Sequence, residues 1–200
     1  MKRTRGLSIV ALALVVGAAT GCGASGSPAR IILRKGRIGP LRINHSGRAQ
    51  VVGFAGHPTS QFRGLIYRGL RLPRVDALYY GCDYATLKRS KRETGNCKTI
   101  FWLDAHTGRL VDFWTRDPRY ATASGVGVGT STAAAERATH MTAAYGCGGA
   151  ALRLTGKRLP YTGLVLWVSG SRLGPKAHAI GGRIGSIWLL GNDRGMELQC

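Results

Sequence analysis

Two stretches of this chain follow the same course, and that duplication limits the fold more than any single motif does. Gly39-Pro40-Leu41-Arg42-Ile43-Asn44-His45-Ser46 leads into an Ala/Val-containing stretch that ends near Gly56. Gly125-Val126-Gly127-Val128-Gly129-Thr130-Ser131-Thr132 leads into an Ala-rich stretch that ends at Tyr145-Gly146. Each opens on alternating apolar residues, the period of a short strand, and reaches Ser or Thr where a helix needs an N-cap. The second helix is expected over 132–144, where Ala, Glu and Arg favour helix. The first contains Gly47 and Gly53 and is expected to be shorter or less regular.

Both units then close on a similar strand pair. Thr99-Ile100-Phe101-Trp102-Leu103 turns through Asp104-Ala105-His106-Thr107-Gly108 into Arg109-Leu110-Val111-Asp112-Phe113-Trp114. Leu164-Val165-Leu166-Trp167-Val168 leads, through a longer Gly/Pro-containing loop, to Gly182-Arg183-Ile184-Gly185-Ser186-Ile187-Trp188. Alternation with Gly-rich turns supports hairpins, so each half reads as strand–helix–strand–strand. The fold class expected is α+β: two tandem βαββ repeats forming an antiparallel sheet with helices on one face. The boundaries that follow are 37–122 and 123–200 for the two repeats, with 1–21 as a leader and 22–36 as an anchored Cys and tether.

Strand side chains alternate between two faces. Trp102 is expected with Ile100 and Asp104, Trp114 with Leu110 and Asp112, Trp167 with Val165 and Ser169, and Trp188 with Ile184, Ser186 and Leu190. The aliphatic and Phe sets suit the face covered by helices, and the sets mixing Trp with Asp and Ser suit the uncovered one. Trp102, Trp114, Trp167 and Trp188 are thereby candidate partner-binding residues, because Trp combines a large apolar area with a polar handle. A register slip of one residue would reverse every one of these assignments.

The repeat, the Gly-x-apolar-Gly-x-Ser start of the second helix and the cysteine count together resemble the tandem βαββ repeats of the β-lactamase-inhibitor-protein-like fold. They resemble also the small lipoproteins of the SmpA/OmlA type, over roughly residue 37 to the C-terminus. The resemblance implies a module that binds other proteins and does no catalysis. No inhibitory residue of that family has a match here, so none is carried over and β-lactamase inhibition is not implied.

The N-terminus has the layout of a secretory signal. Lys2, Arg3 and Arg5 precede an apolar run from Leu7 to Ala19, too short to span a membrane. The run ends in Ala19-Thr20-Gly21-Cys22, which resembles the bacterial lipobox, although Ala stands where Leu is usual. Lipidation of Cys22 is expected, which places the protein on the extracytoplasmic face of the cell membrane. It also leaves four cysteines, Cys82, Cys97, Cys147 and Cys200, an even set suited to disulfides in an oxidising compartment. Four cysteines allow three connectivities. Cys82 with Cys97, around the basic loop Lys88-Arg89-Ser90-Lys91-Arg92, is the favoured pair, leaving Cys147 for Cys200.

The net charge is +20, and about +17 without the leader's Lys2, Arg3 and Arg5. Outside a membrane, such an excess draws anionic lipid or anionic wall polymer, with no specific nucleic acid expected. No catalytic signature is present. Gly125-Val126-Gly127-Val128-Gly129 lacks the Gly spacing and the later acidic residue of a dinucleotide loop. His45, His57, His106, His140 and His178 are scattered without metal-ligand spacing. No Gly-x-Ser-x-Gly appears. The expectation is therefore a non-enzymatic envelope protein with no cofactor or metal, anchored in the membrane and holding an envelope protein partner. The alternative is a basic envelope-structural protein that adheres to anionic lipid or wall polymer. If Cys22 carries the anchor, Cys22→Ser moves the protein out of the membrane fraction on cell fractionation; a variant that still sediments with membranes overturns that assignment.

Overall fold

The protein is described here from a computed structural model that covers residues 31–34, 36–65, 74–83, 97–146, 149–153 and 163–191. Cys22, Cys147, Cys200 and the basic loop at 88–92 lie outside the described residues. A three-strand meander opens the fold: β1 (Ile31–Arg34), β2 (Arg37–Ile38) and β3 (Leu41–Arg42). Strand structure thus begins within the stretch read as tether. Helix α1 (Arg48–Ala55) follows, then β4 (Ser60–Leu65), β5 (Val75–Tyr80), β6 (Thr99–Asp104), β7 (Leu110–Thr115) and β8 (Tyr120–Thr122). The second half runs α2 (Thr132–Thr139), β9 (Thr142–Gly146), β10 (Gly149–Arg153), β11 (Gly163–Ser169), the short pair β12 (Arg172–Leu173) and β13 (Ala179–Ile180), and β14 (Arg183–Leu190).

Eight strands form one antiparallel sheet in the order β4-β5-β6-β7-β14-β11-β10-β9. That order is the same from either edge inward: a helix, then a meander of four strands, with the last strands β7 and β14 meeting in the middle. The two halves correspond in detail. The helix N-cap Gly47 bridges to Arg109 at the start of β7, and the N-cap Ser131 bridges to Arg183 at the start of β14. Leu110 donates its N–H to Ser46 O, as Ile184 does to Thr130 O. A β-bulge on β7 opposite Trp102 leaves Val111 as the extra residue, and another on β14 opposite Trp167 leaves Gly185 as the extra residue.

The expected α+β architecture is overturned. Each helix is only eight residues long, and little of either is buried: Val51 from α1, Thr132 and Ala135 from α2. A helix that short cannot cover an eight-stranded sheet. Its place is taken largely by a second sheet of order β3-β2-β1-β8, with β8 parallel to β1. Leu33, Ile38 and Leu41 point inward from it to join Phe101, Leu103, Phe113, Leu166 and Ile187 in the main core. The unit is therefore a helix followed by four strands, and the architecture is mostly β with sheet packed on sheet.

The helix expected over 132–144 stops at Thr139, where His140 adopts a left-handed conformation at φ 56°. Residues 142–146 pair with β10 instead, and Met141 and Ala143 bury their side chains. Glu136 holds the junction by accepting from Ala143 N–H at 2.8 Å. Tertiary pairing here outweighs the helix propensity of alanine.

Three face assignments also change, and the bulges are the cause. Val111, the extra residue on β7, joins the aromatic cluster rather than sharing a face with Phe113. Leu110 lies opposite Leu103, on the main-core face, rather than with Asp112 and Trp114. Ile184 lies opposite Val168, on that same face, rather than with Ser186 and Trp188.

Corresponding turns of the two halves carry different steric loads. Gly108 and Gly182 both have positive φ, 67° and 84°. A Cβ on Gly108 would meet nothing within 4 Å, whereas one on Gly182 would lie 2.6 Å from Ser169 O and 2.8 Å from Ser171 N. Gly108→Ala is expected to cost about 1–2 kcal/mol, the left-handed penalty alone. Gly182→Ala should cost roughly 1–3 kcal/mol more, because backbone must move as well. Urea unfolding of the two variants measures the difference, and equal losses would contradict the packing described.

Candidate binding face and its aromatic residues

The eight-stranded sheet is apolar on both sides, and the side away from the main core carries the four tryptophans. Register builds that face strand by strand. On β6, Trp102 lies between Ala77 of β5 and Asp112 of β7. On β11, Trp167 lies between Ala151 of β10 and Ser186 of β14. Both positions thus set an indole between an alanine and a short polar side chain, which leaves lateral room for the ring. Trp114 and Trp188 lie opposite each other where β7 meets β14. The four tryptophans therefore form two corresponding pairs, Trp102 with Trp167 and Trp114 with Trp188, all on one face.

They are not equally accessible. Trp102 and Trp188 stack at 5.6 Å between ring centroids with 18° between planes, and they are 1% and 7% exposed. Val75, Ala77, Tyr79, Ile100 and Val165 are buried in the same cluster. Trp114 and Trp167 are only partly buried. An uncovered face with four exposed indoles is thus not what forms: two tryptophans are core, and two are partly open to solvent.

Residues not singled out from sequence complete the face. Phe62 pairs with Ala77 across β4 and β5, which puts it on the aromatic side at the sheet edge, 43% exposed. Its ring meets Tyr79 edge-on at 5.5 Å. Arg116 sets its guanidinium 5.8 Å from the Trp114 ring centroid, a cation–π distance, while its Nε–H donates to Cys97 O at 2.7 Å. Cys97 is bonded to Cys82, the favoured pairing of the sequence reading, so the disulfide braces the rim beside Trp114. The alternation in Ser60-Gln61-Phe62 and Val75-Asp76-Ala77-Leu78-Tyr79 was the signal that could have found Phe62 and Tyr79.

Asp112 is the buried acidic group beside Trp102 on this face. Its carboxylate accepts from Gly191 N–H at 2.8 Å, and Gly191 O in turn accepts from Asn44 Nδ2 at 3.1 Å. Asn44, at φ 63°, occupies the left-handed region that Asn tolerates. Loss of solvation pushes the Asp112 carboxyl up to about 7, against the downward pull of the Gly191 bond. The carboxyl thus ties the end of β14 to β7, and Asn44 ties the same residue to the turn after β3.

Little else offers chemistry. No group of three His, Cys, Asp or Glu able to hold a metal occurs among the described residues. A cavity of about 80 Å³ on the main-core side, lined by Phe54, Tyr80, Thr99, Phe101, Arg119 and Tyr120, is well below the roughly 300 Å³ at which small-molecule pockets begin. No described helix is long and apolar enough to cross a membrane.

The raised Asp112 carboxyl makes stability depend on pH in a defined sense. An unfolded Asp titrates near 4, so between about pH 4 and 7 the folded chain holds a proton that the unfolded chain has lost. The contribution of Asp112 to stability is therefore highest below pH 4, falls as pH rises through this window by up to about 1.4 kcal/mol per unit, and levels off above it. Asp104 and Asp117, held below the usual range, act in the opposite sense at acid pH. Asp112→Asn keeps an acceptor for Gly191 and is expected to remove that slope in urea unfolding at pH 5 and pH 8. Acrylamide quenching of the wild-type protein should divide its tryptophans into a protected and an accessible class; a single uniform class would contradict the burial described.

No protein-family model matches the sequence, and no curated protein matches it. One solved structure, the uncharacterized protein YfeY from Escherichia coli, is similar over 82% of this chain and 100% of its own, at a TM-score of 0.47 and 11% identity.

Proposed function

We propose that this protein is a membrane-anchored, non-enzymatic binding module that holds a protein partner at the extracytoplasmic face through the aromatic side of its large sheet. The observation that supports this reading most is the gathering of Phe62, Trp114 and Trp167 as partly open aromatics on one sheet face backed by a packed aromatic cluster. Interfaces draw their strength from a few large aromatic side chains held rigidly. Trp102 and Trp188, stacked beneath, would act as the rigid support rather than as contacts. Cys22 supplies the anchor in this reading, and no residue is assigned a catalytic role.

The second reading is adhesion to anionic lipid or wall polymer, favoured by the net charge of +20. Salt separates the two, because polyanion binding falls steeply with ionic strength and an aromatic interface does not. The domain is to be used as bait for solubilised envelope at low and high salt. A defined protein retained at high salt, and weakened at least tenfold by the double change Trp114→Ala and Trp167→Ala, is the expected result. Capture that vanishes with salt and ignores both tryptophans overturns the aromatic reading.

A further inference from the structure

The small sheet has an outer face that its own fold does not explain. Leu33, Ile38 and Leu41 point into the core, so the alternate positions on β1, β2 and β3 point outward. Those positions are the half-buried Ile32 and the exposed Arg34, Arg37 and Arg42. Register sets the arginines in one row: Arg34 lies opposite Arg37, and Arg37 lies opposite Arg42. Three guanidinium-bearing side chains thus stand on adjacent strands across two strand spacings, about 10 Å. Like charges directly opposite on neighbouring strands destabilise a sheet, and a separation near one Debye length does not screen them from one another.

Among the described residues, none of the ion pairs involves that row: they join Arg119 to Asp117 and His178 to Glu136, and Asp83 has a partner of its own. Asp117 is engaged by Arg119 at 2.7 Å, Asp104 by Thr107, Asp112 by Gly191 and Asp76 by Gly64 N–H. Glu136 serves Ala143 N–H and His178. The sequence adds Arg30 just before β1 and Lys35 between β1 and β2, with no acidic residue from 23 to 75. The described residues thus leave this face with a net positive row.

We infer that the Arg34–Arg37–Arg42 row is a docking surface for the phosphate headgroups of an anionic membrane. The choice of membrane over other phosphates rests on the anchor reading of Cys22 and on chain length. β1 begins at Ile31, nine residues after Cys22, and such a tether reaches at most about 32 Å. An arginine row at the start of the fold is thereby held close to the lipid surface, where a basic patch acts as the second signal that a single anchor needs. Arginine suits the task, since its planar fork meets phosphate oxygens in pairs.

The test removes the anchor from the measurement. All described elements lie between 31 and 191, so a chain from Ala24 onward keeps every one of them and carries no lipid. Its binding is measured by co-sedimentation with vesicles of phosphatidylcholine containing about a third phosphatidylglycerol, and with phosphatidylcholine alone. Binding is expected to the anionic vesicles and not to the neutral ones. The triple change Arg34→Gln, Arg37→Gln, Arg42→Gln should weaken it at least tenfold, since each basic residue near the surface contributes several-fold. The same triple change to Lys should retain most of the binding. Melting temperature without vesicles should hold or rise in the Gln variant, because a repulsive row has been removed. Equal weakening by Arg63→Gln, Arg109→Gln, Arg137→Gln would show diffuse attraction and overturn the site. So would binding of soluble polyphosphate with none to vesicles, or a Gln variant that melts lower while the Lys variant binds no better than it. Failure of the anchor reading shows separately, as wild-type chain that takes up no labelled fatty acid in cells while the vesicle results stand.

Discussion

The pairing of β7 with β14 is the contact on which the rest of the large sheet depends. Among the described residues it is the only ladder that joins the two four-strand meanders, since β4 and β9 lie at opposite edges. On one side it sets Phe113 against Leu189, and on the other Trp114 against Trp188. Both cores therefore cross this line. Phe113 and Leu189 belong to the main cluster, and Trp188 with its neighbours to the aromatic one. A chain that formed either half without this ladder would leave two half-covered sheet edges and an exposed indole row.

The bulges opposite Trp102 and Trp167 make that arrangement possible. Each lets one strand change its facing partway along, so that apolar residues fall on the main-core side at one end while the indole stays on the other. Leu103 with Leu110, and Val168 with Ile184, are the pairs so redirected. Without the extra residue, period-two alternation would carry Leu110 and Ile184 onto the aromatic face.

That is also why sequence reading went as far as it did and no further. The duplication was legible because Gly108-Arg109-Leu110 and Gly182-Arg183-Ile184 occupy corresponding turns, each with a positive-φ glycine and the same hydrogen bond to the helix entry. The tryptophans kept to one face because each lies on the unshifted side of its bulge. Leu110 and Ile184 were misassigned because a bulge leaves no mark in composition. The second sheet escaped notice because β2 and β3 are two residues each, below the length at which alternation can be counted. Helix propensity over-extended α2, since the alanines at 143 and 144 serve equally well as small strand residues beside β10. Burial of Trp102 and the raised carboxyl of Asp112 are products of packing, which no local pattern encodes.

The parallel pairing of β1 with β8 has a mechanical consequence. β1 is held on one side by β2 and on the other by β8, with Ile31 opposite Tyr120 and Leu33 opposite Thr122. A tension applied at Ile31 would run along the strand, so the ladder bonds to β8 would bear it together rather than one after another. β8 itself lies between the two repeats in the chain, which passes that load toward both halves of the large sheet. The first described strand is in this way one that resists being unzipped from its end.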